Sequence, residues 1–334
     1  MKLLSRALLA QVLLLACCAT RAPAADAAPA GQDAVLAEIR RLAPASGGEL
    51  GVAARLLERG PTLAVNGDER FPMASTFKVA VAATVLAAVD EHRLTLDRMI
   101  TVDPASYVDS DIIASRLVHP GVSLSVWNLL ELMLTESDNT ATDNMVATAG
   151  GPAAVTAWLR SHGIAGQRVD RDTAGLLRDF FHLPAGPFQA ALAAGLKAHP
   201  EIGDLDTKPN PSFDDDARDT STPLAMLDLL TRIFRGEALS KSSTSVIVDI
   251  MGRCRTGTAR LRGLLPEGTA VAHKTGTIGG TVNDVGVITL PDGRHVVIAV
   301  FIKKSTLPIE ARERVIAEVA RTLRDYYLAQ GNGS

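Results

Sequence analysis

The sequence predicts an α/β protein of the α+β type: an antiparallel sheet flanked by N- and C-terminal helices, with an all-helical lobe inserted. Three observations predict it. Strand patterns occur near the start of the chain, at Glu49 to Leu57 and Thr62 to Val65, and again near its end. Between them, from Ser75 to about Met251, apolar residues recur mostly at helical spacing. The first and last regular segments, Gln32 to Leu42 and Ile309 to Tyr327, read as amphipathic helices. Distant strands must therefore meet in one sheet. The terminal helices should cover one of its faces and the helical middle the other, because each face has to bury its apolar side.

In chain order, Val35, Leu36, Ile39 and Leu42 mark the first helix. Glu58-Arg59-Gly60-Pro61 is a turn between the first two strands. Val79 to Val89 is rich in Ala and Val on every side, which suits a helix buried all round. Leu124 to Thr135 and Pro223 to Phe234 are further helices. Pro184 to Asp219, with Lys208-Pro209-Asn210-Pro211 and the run Asp214-Asp215-Asp216, is the loosest part of the chain. Three strands follow, at Ala270 to Lys274, Val282 to Leu290 and His295 to Ile302. Pro291-Asp292-Gly293 makes the hairpin turn between the last two.

Composition bounds the function. With 47% hydrophobic and 21% charged residues, a chain of 334 residues can bury a large core. A net charge of -3 gives no basic excess for nucleic acid. Lys2 and Arg6, the apolar run Ala7 to Ala16 and Ala22-Pro23-Ala24 read as a secretory signal over 1–24, which leaves a single catalytic domain over 25–334. Its sheet lobe is expected at about 32–70 and 255–328, and its helical lobe at about 75–250. A competing reading takes Leu14-Leu15-Ala16-Cys17 as a lipobox and Cys17 as a lipid anchor. Either way the expected location is periplasmic or secreted, without a membrane span, and the expected state is a monomer. Beyond the leader only Cys254 remains, so there is no internal disulfide framework, and Cys254 reads as a small buried hydrophobe rather than a nucleophile. His182, His199 and His273 lack zinc spacing and read as structural or surface residues. Asp214 to Asp216 lacks the alternation of a calcium loop and reads as a solvated acidic run. No metal or cofactor is expected.

Three short motifs carry chemistry. Ser75-Thr76-Phe77-Lys78 opens the buried helix, and a spacing of three puts the Lys78 amine on the face of Ser75. A desolvated lysine could accept the serine proton there. Ser137-Asp138-Asn139 ends a predicted helix and offers a second hydroxyl and an amide. Lys274-Thr275-Gly276-Thr277 ends a predicted strand, where a cation and free backbone groups could hold an anionic, extended substrate. Taken singly, each has a plainer explanation: a helix cap with an exposed lysine, a polar turn, and a solvated strand end.

Together, S-x-x-K, S-D-N and K-T-G in this order resemble the active-serine penicillin-recognising enzymes, with the spacing of class A β-lactamases. The resemblance runs from about Val35 to Tyr327. It implies a β-lactam substrate and Ser75 as the acylated serine, with Lys78 as its partner and Ser137 as the proton relay. Asn139 would hold the substrate amide. Lys274, Thr275 and Thr277 would bind the substrate carboxylate, with Arg260 supporting it. The backbone N–H groups of Ser75 and Thr277 would form the oxyanion hole. The resemblance also implies an Ω-loop that carries the deacylating glutamate. Arg171 would open it and Asp219 would close it as an ion pair, but the segment between them is about thirty residues too long. It holds no E-x-x-L-N. Counted back from Asp219 without gaps, Asp206 falls at the glutamate and Asn210 at the asparagine. Asp206 is one methylene shorter, roughly 1.5 Å less reach. Glu201 and Asp204 are rivals. The sequence leaves open a β-lactam hydrolase, a DD-peptidase-like enzyme, and an acyl trap or sensor with slow deacylation. What separates them is whether a carboxylate from 184–219 approaches Ser75.

Overall fold

The computed structural model describes residues 31–110, 112–205 and 207–331. The leader reading, with Cys17 and Ala24, and the candidate base Asp206 lie outside the described residues. Among these, no helix is long and apolar enough to cross a membrane.

Among the described residues nine strands are formed: β1 Glu49–Leu56, β2 Leu63–Val65, β3 Phe71–Pro72, β4 Met99–Thr101, β5 Ser123–Ser125, β6 Thr220–Ser221, β7 Val271–Ile278, β8 Thr281–Thr289 and β9 His295–Lys303. Five make the main antiparallel sheet, in the order β2-β1-β9-β8-β7. The N-terminal strand β1 thus pairs with β9 over its whole length, Glu49 against Lys303 through Leu56 against Val296.

Strand alternation divides β9 between two cores. Val296, Ile298, Val300 and Ile302 pack with Val35 and Ile39 of the helix Gln32–Leu42 and with Val315, Val319 and Leu323 of the helix Ile309–Ala329. Val297, Ala299 and Phe301 face the opposite way, into the core of the helical lobe. At the centre of that lobe is the helix Lys78–Asp90, buried from Lys78 to Ala88 because Ala and Val leave it no polar face. The helices Val126–Thr135, Asn139–Thr148, Pro223–Phe234 and Lys241–Gly252 surround it.

Two expected boundaries move. β7 does not stop at Lys274 but continues through Lys274-Thr275-Gly276-Thr277 to Ile278, because β8 pairs with it that far. Ser137-Asp138-Asn139 does not merely end a helix. It turns the chain from Val126–Thr135 into Asn139–Thr148, with Asp138 capping the second helix through Ala141 N at 2.8 Å.

The segment expected to be loosest is built. Beyond Arg171 come the helices Thr173–Phe180 and Phe188–Ala198 and the short turns Ile202–Leu205 and Pro211–Asp214. Val108 packs with Leu183, Phe188, Ala191 and Ile202, while Leu176, Phe180 and Phe213 pack with Ala74 and Ile278. The insertion therefore carries its own apolar contacts to the body. The acidic run is also not simply solvated: Asp214 is buried, Asp215 pairs with Lys304 at 2.8 Å, and Asp216 pairs with Arg218 at 2.7 Å.

Candidate active site

Ser75 sits in a 3-10 turn, Ala74–Phe77, that runs straight into the buried helix. The turn is pinned from beneath. Asn283 on β8 donates through Nδ2 to Pro72 O at 2.9 Å and Met73 O at 3.0 Å, and the Thr76 hydroxyl donates to Met73 O at 2.8 Å. Gly276 lets β7 close onto this turn: a β-carbon there would lie 2.5 Å from Met73 O and 3.1 Å from Ser75 N. The glycine of K-T-G is thus required by the approach of two backbones.

Lys78 is fully buried. Its Nζ donates to Ser137 O at 2.7 Å, Ser137 Oγ at 3.1 Å and Asn139 Oδ1 at 2.8 Å. Burial and then the charge of Lys274 hold this amine well below the ordinary lysine range, against the opposing pull of Asp138 and Asp143. Lys274 is buried as well, and donates to Ser137 Oγ at 2.9 Å and Thr275 O at 2.8 Å. Burial brings it down to about 8. It does not project from a strand end as the sequence suggested; it meets the cleft only through Ser137 and Thr275. Ser137 holds a left-handed backbone at φ 59°, a conformation serine adopts at a cost, and Asp138 fixes the turn by accepting also from Ile113 N at 2.8 Å. Asn139 Nδ2 donates to Asp109 O at 2.8 Å.

Arg260 is not a surface arginine. It is buried, with Nη2 on the Thr277 hydroxyl at 2.7 Å, Nη1 on Asn283 O at 3.0 Å and Nε on Glu313 at 3.0 Å. Thr275 and Thr256 hydroxyls are 2.5 Å apart. Ser75, Ser137, Asn139, Arg260, Thr275 and Thr277 line one cleft of about 300 Å³, with Asp109, Ser110, Glu136 and Thr256. All six come from the sequence reading. Lys78 and Lys274 lie beneath it on the Ser137 hydroxyl.

The base of the long loop closes as expected. Arg171 Nε donates to Asp219 at 2.6 Å, and the same carboxylate accepts from Asp170 N and Arg171 N at 2.7 and 3.1 Å. The rivals to Asp206 do not reach the cleft: Glu201 is exposed beside His199, and Asp204 is exposed beside Lys208. Farther along, Lys208 O would contact a β-carbon on Gly279 at 2.7 Å, and Asn210 Nδ2 donates to Phe180 O at 3.2 Å, so 208–210 packs on the turn that ends β7.

Two features escaped the sequence reading. Asp143, one turn after Asn139, accepts from Thr173 N at 2.6 Å and Ala174 N at 2.9 Å and ties the inserted loop to the helix behind Lys78. Burial and then the charge of Asp172 raise it to about 7. Its spacing of four from Asn139 was the available signal. His273, read as structural or surface, is fully buried, with Nδ1 at 2.8 Å from Asp284. Among the described residues no group of three His, Cys, Asp or Glu side chains could hold a metal ion.

This fold and this constellation define an active-serine enzyme built on a sheet and a helical lobe. The chain belongs to the beta-lactamase enzyme family, whose sequence model matches residues 34–327. It is 32% identical to the extended-spectrum beta-lactamase PER-1 of Pseudomonas aeruginosa over 80% of this chain and 78% of that protein. It is 32% identical to beta-lactamase L2 of Stenotrophomonas maltophilia over 90% and 89%. Among solved structures, a beta-lactamase from Chitinophaga pinensis superimposes with a TM-score of 0.72 at 30% identity, covering 88% of this chain and 99% of that one. An ancestral class A beta-lactamase of Gram-negative bacteria does so at 0.72 and 38%, covering 86% and 98%.

Proposed function

We propose that this protein hydrolyses the β-lactam amide of penicillins and cephalosporins through an acyl-enzyme on Ser75. The observation that carries the reading is the shared Ser137 hydroxyl, met by two buried lysines at the floor of the cleft that Ser75 lines. Ser75 Oγ attacks the lactam carbonyl and its proton passes to the neutral amine of Lys78, directly or through Ser137. The oxyanion is held by the N–H groups of Ser75 and Thr277. The C–N bond breaks and the nitrogen takes its proton from Ser137, which is resupplied by the Lys78 ammonium 3.1 Å away. The substrate carboxylate rests on Thr275 and Thr277, with Lys274 and Arg260 behind them, and Asn139 holds the side-chain amide.

Asp206 then takes a proton from water as that water attacks the acyl carbon; the bond to Ser75 Oγ breaks, the serine recovers that proton, and the ring-opened acid is released. Two facts support this choice: the ungapped count from Asp219, and the docking of 208–210 on the turn that ends β7. Export through cleavage after Ala24, action as a monomer, a periplasmic or secreted location and a part in antibiotic resistance complete the proposal.

The test is turnover of a chromogenic cephalosporin, with mass spectrometry of the intact protein during and after exposure. Repeated turnover with a transient adduct supports the hydrolase. A permanent adduct without turnover replaces it with an acyl trap. No adduct, with cleavage of D-alanyl peptides, replaces it with a peptidase.

A further inference from the structure

A second cavity, of about 920 Å³, lies between the helix Lys241–Gly252 and the sheet, at the end of β7 that begins with Val271. The catalytic cleft holds about 300 Å³ and lies toward the other end of the strand, at Thr275 and Thr277. The two share no lining residue. The second cavity has the size of a small-molecule site, and the proposed mechanism does not use it.

Its walls are largely apolar. Leu57, Phe234, Val248 and Ala272 are half-buried: they pack on the core of the helical lobe and also line the cavity. One cation is fixed among them. Arg262 Nη2 donates to Val271 O at 2.7 Å and to Gly252 O at 3.1 Å, tying the edge strand to the last turn of the helix. Those are its only hydrogen bonds among the described residues. Nε is buried without a partner, and Nη1 has no acceptor. The two carbonyls offset part of the charge, but among the described residues no carboxylate pairs with Arg262. The other charges at the cavity are balanced. Lys241 and Glu267 are exposed and opposite in sign, and His295 pairs with Glu58 at 2.7 Å.

We propose that this cavity is a second ligand site, which takes a small carboxylate with an apolar body: the carboxylate on Arg262, the body against Leu57, Phe234, Val248 and Ala272. The proposal is independent of the chemistry at Ser75.

Both halves of that ligand are needed. A guanidinium always carries its charge, and a carboxylate is the acceptor that meets it best. A neutral apolar molecule would cover Arg262 and strip it of water without replacing that water by an acceptor, which costs free energy. An inorganic anion would meet the charge but leave the apolar walls wet, and so would gain nothing from their burial. Arg262 is also held in place beforehand. Its two backbone bonds fix the guanidinium at the joint between helix and strand, so little side-chain freedom remains to be lost on binding.

Titration calorimetry on the full chain tests this, with phenylbutyrate as the probe and phenylbutanamide as its neutral match. A carboxylate of about twelve non-hydrogen atoms should bind with a Kd below about 1 mM; weaker binding overturns the proposal. The amide should bind about ten-fold more weakly or worse, and equal binding of the two removes the carboxylate from the ligand. This comparison needs no variant. Arg262→Gln, which keeps a donor for the two carbonyls, should lose the preference for the acid. Val248→Trp, which grows into the cavity, should lose both ligands while its thermal unfolding stays cooperative. Full binding of phenylbutyrate by a folded Val248→Trp protein places it elsewhere, the catalytic cleft included, and overturns the proposal.

Discussion

The Ser137 hydroxyl accepts from Lys274 Nζ at 2.9 Å, and Lys78 Nζ stands 3.1 Å from the same oxygen. A hydroxyl oxygen has two lone pairs and one proton. With both amines donating, the lone pairs are filled and the proton is free to point into the cleft, toward a leaving nitrogen. When Lys78 is neutral, the hydroxyl can instead donate to it. The same atom can therefore carry a proton in either direction. Ser137→Ala should slow acylation by on the order of a hundred-fold, the scale of a positioned proton donor. Stopped-flow acylation measures it, and an unchanged rate would move the relay elsewhere.

Ser75 should take up one equivalent of a penicillin or cephalosporin. The mass shift of the intact protein should vanish in Ser75→Ala, whose cleft is otherwise complete. The same adduct on Ser75→Ala would remove Ser75 as the nucleophile, and a label on Cys254 would point to thiol chemistry.

Arg260 has a structural duty as well as a binding one, because its guanidinium joins Glu313 to the Thr277 hydroxyl and to backbone carbonyls of β7 and β8. Arg260→Ala leaves Glu313 unpaired in a largely buried site and should cost about 3 kcal/mol in denaturant unfolding. Its acylation by carboxylate-bearing β-lactams should fall much more than that by an esterified analogue. Equal losses would make its role structural alone.

Deacylation should limit turnover, since a shorter base disturbs water activation and leaves serine attack untouched. A burst of one equivalent followed by slow turnover is expected. Asp206→Asn should prolong the acyl-enzyme without slowing its formation. An Asp206→Asn protein that deacylates as fast as the parent places the base elsewhere.

Asp143 makes a stability prediction with a sign. Its folded pKa is raised, from 3.8 to about 7. Its contribution is therefore fully present below pH 4 and is lost as pH rises through about 7, where the buried carboxyl must ionise. Asp143→Asn removes that charge but leaves Thr173 N and Ala174 N to share one acceptor. Its melting temperature relative to the parent should be lowest at pH 4 and rise toward pH 8. Parallel stability curves would show that Asp143 ionises without penalty.

The periodic elements were legible because burial writes a period into the sequence. Gln32–Leu42 and Pro223–Phe234 have the boundaries that their apolar spacing set. The motif residues were legible because their order is specific; Ser75, Ser137, Asn139, Thr275, Thr277 and Arg260 meet in one cleft although up to 202 positions separate them. The sequence could not set where β7 ends, since Lys274 to Ile278 is strand only because β8 offers it partners. Nor could it reveal that Pro184 to Asp219 is anchored, since Leu183, Phe188 and Ile202 find their contact at Val108, far off in the chain.

By itself, then, the sequence determined the identities and order of the reacting groups and the two-sided burial of the sheet, because side-chain chemistry and local periodicity are properties of short stretches. Only the tertiary structure decided the electrostatics. That Lys274 is buried without a carboxylate partner among the described residues, that Arg260 is held by Glu313, and that His273 is paired with Asp284 in the core all depend on which segments are stacked together. Desolvation and Coulomb interactions act over a few ångströms in space and take no account of distance along the chain.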